Sequence, residues 1–305
     1  MKEMSESYHT PVLMTESVQG LNLKPNSIVI DATFGGGGHS AAILKQLGKD
    51  GKLIAFDQDS DAFANKVNDE RFTAVNANFR YLVNFLKHIK CHGKVNAILA
   101  DLGVSSHQFD TTERGFSIRG EAALDMRMNK NSKLSAKTVL NTYTEAQLIK
   151  IFRDYADLDN ARRVASTICR QRISAPLKTT AELIKLLEPL TAPNKQAQFF
   201  AQVFQAIRIE VNDEMGALKD FLNQCLPALS AGGRIVIISY HSVEDRLVKN
   251  YLRSGNFENE IATDDFGRAK KIIEPITKKP LVPDEAEISA NPRSRSAKLR
   301  IAEKL

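Results

Sequence analysis

The sequence predicts an α/β protein, a parallel sheet with an all-helical insertion. Three observations carry that expectation. Short β-type runs alternate with helical-length stretches through the first hundred residues. Four consecutive glycines, Gly35 to Gly38, separate the first such run from the helical-looking Ala41-Ala42-Ile43-Leu44. Strand-like runs then vanish from about Asp110 to Ala201, and a strongly β-branched run returns at Ile235.

Taken in order, Ile28-Val29-Ile30 forms the first strand and Asp31 ends it. The glycines let the backbone turn without Cβ obstruction, and the next helix opens with unpaired N–H groups. Leu53 to Asp57, Phe72 to Val75 and Val95 to Ala100 supply three further strands. Their ends carry Asp57, Asn78-Phe79 and Asp101, placed to face one crevice, because open α/β sheets bind ligands at the carboxyl ends of their strands. Asp101 continues into Leu102 to Gln108, a polar loop suited to a reacting base.

The insertion reads as helices from Ser135 onward, Thr144 to Tyr155, Leu158 to Arg172 and Thr179 to Leu190, punctuated by Pro176, Pro189 and Pro193. Thr144 with Gln147 and Thr179 with Glu182 have capping-box spacing. A long helix is expected from Gln202 to Leu229, then Gly232-Gly233 and a strand from Arg234 to Ser239. Residues Ser254 to Asp284 look loop-rich, and Ala297 to Ala302 supplies a last strand. The expected division is residues 1–109 and 202–305 for the sheet domain and 110–201 for the helical one.

Composition narrows the class. The 305 residues include no apolar run long enough for a membrane helix, and the first residues carry no apolar signal segment. Cys91, Cys169 and Cys225 are odd in number, far apart and outside any Cys-x-x-Cys, so a reduced, cytoplasmic protein without a structural metal is expected. The six histidines show no metal-ligand spacing. Lysine and arginine outnumber acids 42 to 36, a net charge of +6. Arg162, Arg163, Arg170 and Arg172 cluster on about three helical turns, and Arg293 and Arg295 lie in a basic tail. Two such clusters suit a nucleic-acid phosphate backbone, although a solvated helix face has the same appearance.

The glycine loop admits two nucleotide-type ligands. A dinucleotide fingerprint needs glycine or alanine where Ser40 stands, and a phosphate loop needs a lysine that is missing. An S-adenosylmethionine site uses the same turn for the amino-acid end of the cofactor and an acid ending the next strand, here Asp57, for the ribose diol. The loop alone does not separate the two, but the aligned strand ends favour an adenosine-bearing cofactor. Beyond the last parallel strand, Ser242 is placed as an N-cap with Asp245 reciprocating, and His241 at the strand end is a catalytic candidate. No Gly-x-Ser-x-Gly elbow supports a serine hydrolase.

Longer strings resemble one family. His9 to Leu13, Leu21 to Pro25, Asp31 to Ser40, Phe56 to Asp59, Asp101 to Gln108, Glu113 to Ser117, Leu124 to Met128, Phe204 to Ile209, Ser239 to Arg246 and Asn291 to Arg300 resemble the RsmH (MraW) family of bacterial ribosomal RNA methyltransferases. The resemblance implies a Rossmann-like, S-adenosylmethionine-dependent methyltransferase core with an inserted helical domain. It implies methylation of the exocyclic N4 amine of one cytidine in 16S ribosomal RNA near the P site, within the small ribosomal subunit. The family's cofactor contacts fall here on Gly37, Gly38, His39, Asp57, Phe79, Asp101 and Gln108. This chain departs at Gly36, where many members carry arginine, and at Glu121-Ala122-Ala123, which replaces Asp-Gly-Pro.

A sulfonium methyl is already activated, so alignment, exclusion of water and proton management remain for the protein. Asp101, with the carbonyls of Leu102 to Ser105, is the candidate holder of the amine, and Phe109, Phe116 or His241 are candidates to stack on a base swung out of its helix. The arginine pairs at 162/163, 170/172 and 293/295 are the expected RNA contacts. Two rivals remain at this stage: an NAD-dependent oxidoreductase, separated by cofactor binding, and a noncatalytic RNA-binding assembly factor, separated by methyl transfer. The oligomeric state is open.

Overall fold

A computed structural model describes residues 11–65, 67–105, 109, 111–261, 263, 266, 268 and 270–305. The chain forms two compact units, residues 1–103 with 216–305, and residues 104–215.

The first unit is built on a sheet whose strands, among the described residues, are β1 (Ile28–Asp31), β2 (Lys52–Asp57), β3 (Phe72–Asn76), β4 (Val95–Asp101), β5 (Leu229–Ser239), β6 (Ile273–Pro275) and β7 (Lys298–Lys304). Their order is β3-β2-β1-β4-β5-β7-β6. The first five strands run parallel, and β7 pairs antiparallel with both β5 and β6. Side chains alternate across the sheet with period two. Ile30, Ile54, Phe56, Ile98 and Ile237 pack on one face with Leu82, Leu86, Phe221 and Tyr251. Val29, Leu53, Leu99, Val236 and Ile238 pack on the other with Val18, Leu21, Ile43 and Leu47. Strands buried on both faces read as unbroken apolar runs, and this is why they were legible.

Register aligns the strand ends. Asp31 lies opposite Ala55 and Leu99, so β2 and β4 each extend two residues further, to Asp57 and Asp101, at the same edge of the sheet. Asp101 is opposite Ile238, which puts Tyr240 just beyond that edge. The strand expected at Arg234 begins earlier, at Leu229. The register jumps between Val95 opposite Leu229 and Ala97 opposite Arg234, and Ser230 to Gly233 fill the bulge.

The second unit has its own core, in which Leu124, Val139, Phe152, Val164, Ile168, Leu183, Phe204 and Ile207 meet. Its helices include Ala136–Thr142, Glu145–Ala156, Ala161–Ser174, Thr180–Leu187 and Gln196–Asn212. Both capping boxes form, Thr144 with Gln147 and Thr179 with Glu182. Glu121-Ala122-Ala123 is tied down without the family's proline: Ala122 N–H donates to Thr180 Oγ1 at 3.1 Å, and Ala123 bridges to Thr179.

Two expectations need correction. The single helix from Gln202 to Leu229 is two, Gln196–Asn212 and Glu214–Ala228, separated by Asp213 at φ +47°. The Asn212 amide stabilises the break by donating to Met126 O at 2.8 Å and accepting from Met128 N–H at 2.7 Å. The helical unit therefore runs over residues 104–215 rather than 110–201. A boundary at 201 would split a helix whose Phe199, Phe200, Val203, Phe204 and Ile207 are buried in the helical core.

Among the described residues no helix is long and apolar enough to cross a membrane. Cys91 and Cys225 are buried free thiols, and Cys169 is a half-buried one.

Candidate active site

The glycine loop follows β1. Gly37 caps the helix Gly38–Gln46 at φ +78°, a left-handed conformation natural to glycine, and its N–H donates to Phe34 O at 2.8 Å. A Cβ on Gly37 would lie 2.9 Å from the Phe34 ring, and one on Gly38 would collide with Pro11. The glycines thus serve close packing as well as the turn. They leave the first N–H groups of the helix without intrahelical partners, the usual arrangement for receiving an anionic group.

Three aspartates gather at this edge. Asp31 is 1% exposed, accepts from Ser40 Oγ at 2.6 Å and from Thr33 N–H at 3.1 Å, and burial raises its carboxyl above the ordinary range. Asp57 accepts from Gly35 N–H and Asp59 N–H, each at 2.8 Å. Removal from water nevertheless pushes its carboxyl up to about 6. Asp101 is pushed up to about 6 by the same cause, partly opposed by His39 and by a hydrogen bond from Tyr240 Oη to Oδ1 at 2.8 Å. Its backbone N–H donates to Thr33 Oγ1 at 2.7 Å, fixing the strand end. Carboxylates raised by burial and gathered at one edge are candidates for a functional site.

His39 is buried, with Nε2 3.2 Å from Val12 O and Nδ1 3.9 Å from Asp101 Oδ2. A carbonyl only accepts, so Nε2 carries the hydrogen there. Phe79 follows β3 and packs against Phe221 with ring centroids 5.0 Å apart. Next to it Asn78 accepts from Arg80 N–H at 3.0 Å and donates to Gln58 Oε1 at 2.8 Å, tying this turn to the residue after Asp57. Gly37, Gly38, His39, Asp57, Phe79 and Asp101 therefore all belong to the strand-end loops of the first unit. Gln108 lies outside the described residues.

The sequence reading missed Tyr240, the phenol bonded to Asp101. Burial and the Asp101 charge raise its hydroxyl well above the usual phenol range, so it stays protonated and donates. Its signal was present, because it directly follows β5, as Asp101 ends β4. Asp31 was likewise read only as the end of a strand, although its position matches that of Asp57 and Asp101.

Several expected roles change. The N-cap of the helix Ser242–Ser254 is His241, not Ser242: His241 Nδ1 accepts from Glu244 N–H at 3.4 Å, and Nε2 lies 3.0 Å from the buried Glu244 carboxylate. Asp245 does not reciprocate a cap. It accepts from Arg300 Nε at 2.7 Å and Nη2 at 3.1 Å, a fork geometry that outcompetes a backbone bond. Phe116 is 4% exposed within the helical core and is not open to a base. Arg162, Arg163 and Arg170 are exposed on the helix Ala161–Ser174, as are Arg293 and Arg295 in the tail. Arg172 differs, because its Nη1 donates to Leu140 O at 2.9 Å and holds two helices of its unit together.

Comparison with known proteins adds an independent line. The sequence matches the MraW methylase family over residues 6–305. It is 52% identical over 304 residues to ribosomal RNA small subunit methyltransferase H of Bacteroides thetaiotaomicron, covering all of both chains. It is 54% identical over 298 residues to the protein of that name from Christiangramia forsetii, covering 98% of each. The Flavobacterium johnsoniae protein of the same name is 52% identical over 300 residues, again with 98% of each covered.

Proposed function

The chain belongs to the MraW methylase family, and from that premise we propose that it methylates the exocyclic N4 amine of one cytidine in 16S ribosomal RNA. The target lies near the P site, S-adenosylmethionine is the cofactor, and the reaction takes place in the cytoplasm on the small ribosomal subunit. The relatives' common name supports the substrate class.

One observation carries the chemistry: Asp57 and Asp101 are half-buried carboxylates at the ends of β2 and β4, which flank β1, and neither accepts a hydrogen bond from a cation among the described residues. Asp57 is an acceptor-only group already holding two backbone N–H donors. It fits a ribose diol, which supplies two further donors and no charge. S-adenosylmethionine, when bound, supplies a methyl group activated by its sulfonium. The Gly38–Gln46 helix start and the glycine turn receive the amino-acid end, with His39 and Gly37 holding the turn in shape. Phe79 would contact the adenine.

Asp101 then works on the acceptor. The lone pair of cytosine N4 is delocalised into the ring, and an acceptor for its N–H draws the nitrogen towards tetrahedral geometry. Tyr240 occupies Oδ1, which leaves Oδ2 for that N–H. As the N–C bond forms and the S–C bond breaks, the amine loses a proton, and Asp101 takes it at Oδ2 before passing it to solvent. A carboxylate near 6 is ionised at neutral pH yet more basic than an exposed aspartate. The exposed arginines of the helical unit and of the tail bind phosphates.

The test is methyl transfer from labelled S-adenosylmethionine to small subunits lacking the modification, followed by nucleoside mass spectrometry. N4-methylcytidine at one position is the expected result. A methyl group on another atom or on protein overturns the assignment.

A further inference from the structure

On the far side of the first unit from β3, the helix Ser242–Ser254 and strands β6 and β7 enclose a cleft of about 500 Å³. Five cations line it, Lys249, Arg253, Lys271, Lys278 and Arg300, against one carboxylate, Glu274. Two of the five are already matched. Lys271 Nζ is 2.8 Å from Glu274, and Arg300 is held by Asp245. Lys249, Arg253 and Lys278 are exposed, and among the described residues no carboxylate pairs with them. Among the described residues the cleft therefore carries three cations without a paired carboxylate, over a partly apolar lining that includes Leu252 and Pro275. Ile272 and Ile276 flank β6 and are 47% and 45% exposed.

We infer that this cleft binds single-stranded RNA, its cations on successive phosphates and its aliphatic surfaces against the bases. The inference rests on the RNA-methylating reading above and adds a second grip on the same substrate class. Charge complementarity selects the occupant: a polyanion answers unpaired cations, and a strand with accessible bases also covers apolar surface.

Distance supports it as well. The helix lining the cleft starts at Ser242, two residues after the Asp101 partner Tyr240. With 1.5 Å per residue, Lys249 and Arg253 stand about 10 and about 16 Å along that helix. A strand rising about 3.4 Å per nucleotide covers that span in roughly three to five nucleotides. A cytidine presented to Asp101 thus has near neighbours within reach of the cleft. Neither the glycine loop nor the arginines of the helical unit take part in it.

The experiment compares the parent chain with the triple variant Lys249→Gln, Arg253→Gln, Lys278→Gln. A control, Lys45→Gln, Lys49→Gln, Lys87→Gln, removes the same charge from exposed positions outside the cleft. Each binds a fluorescent single-stranded RNA across a salt series, and each is assayed for methyl transfer to unmethylated subunits. The cleft variant is expected to bind RNA about tenfold or more weakly, with a log-affinity against log-salt slope shallower by about 2. Its KM for subunits should rise while kcat and cofactor affinity stay at the parent's values, and the control should stay close to the parent.

Equal slopes for the cleft variant and the parent overturn the inference and leave the methyl-transfer reading intact, as does an equal loss in the control. If the parent transfers no methyl group while the cleft variant alone loses RNA binding, the cleft stands and the proposed reaction falls. A parent that binds no RNA overturns the inference, and a parent that also transfers no methyl group overturns the proposed reaction with it. A single-site variant, Lys278→Gln, on the loop after β6, repeats the reading should the triple variant fail to fold.

Discussion

Asp101 and Asp245 are both largely withdrawn from water in the same unit, yet their surroundings treat charge in opposite ways. Burial pushes Asp101 up to about 6, and among the described residues its carboxyl accepts a hydrogen bond from a neutral phenol. Burial also pushes Asp245 up, but Arg300 and Lys298 outweigh it and hold the carboxyl below the usual range. The second carboxylate finds its compensation inside the fold, and the first does not. An ionisable group that the fold leaves uncompensated is a candidate for a partner from outside. The contrast separates a candidate ligand site from a strut.

The largest expected effect lies on the uncompensated side. Asp101→Asn should lower methyl transfer at saturating cofactor by about 100-fold or more, since it removes both the amine's acceptor and the proton's destination. Full turnover would limit Asp101 to cofactor binding.

Next in size, Arg300→Met strands the Asp245 charge and should cost about 3 kcal/mol in urea unfolding of the ligand-free chain. Asp57→Asn should cost little or even stabilise that chain, because it deletes a carboxylate the fold disfavours. Equal losses at the two sites would erase the distinction.

The pH dependence sharpens it further. Asp57 and Asp101 near 6, against 3.8 when unfolded, bind protons more tightly in the folded state. Their contribution to stability is full below about pH 4 and is lost as pH rises through about 6. Cofactor affinity runs the other way, since the diol needs the Asp57 carboxylate. Calorimetry should show it weakening by up to about tenfold per pH unit below 6, and Asp57→Asn should flatten the profile. The smallest effect is expected for Arg162→Gln, Arg163→Gln, Arg170→Gln, which should lower the salt slope of RNA binding by about 2 with cofactor affinity unchanged. An unchanged slope would make them a solvated face.

The strands, the glycine turn and the acids at the strand ends were legible because each depends on local signals: apolar runs, left-handed glycine, and position at a carboxyl edge. Both capping boxes were legible for the same reason. The break at Asp213 was not, because it depends on the Asn212 amide meeting Met126 and Met128 more than eighty residues earlier. Asp245 looked like a capping residue because its true partner, Arg300, is 55 positions away. Tyr240 was overlooked because its meaning comes from β4 lying beside β5, a pairing that spans the whole insertion. Local chemistry is written in the sequence, while the choice among competing partners is made by topology.

That same pairing has a consequence for synthesis. β4 ends at Asp101 and its neighbour β5 begins at Leu229. At about 5–20 residues per second, a ribosome takes on the order of ten seconds to make the intervening stretch. Through that interval the growing sheet has an open side at β4, the kind of strand edge that recruits foreign chains. The residues emerging meanwhile carry a core of their own. Order of emergence thus favours the inserted helices as the first part to mature, with the β4–β5 edge assembled last. A chain built this way withholds Tyr240 from Asp101 until most of its length has been made.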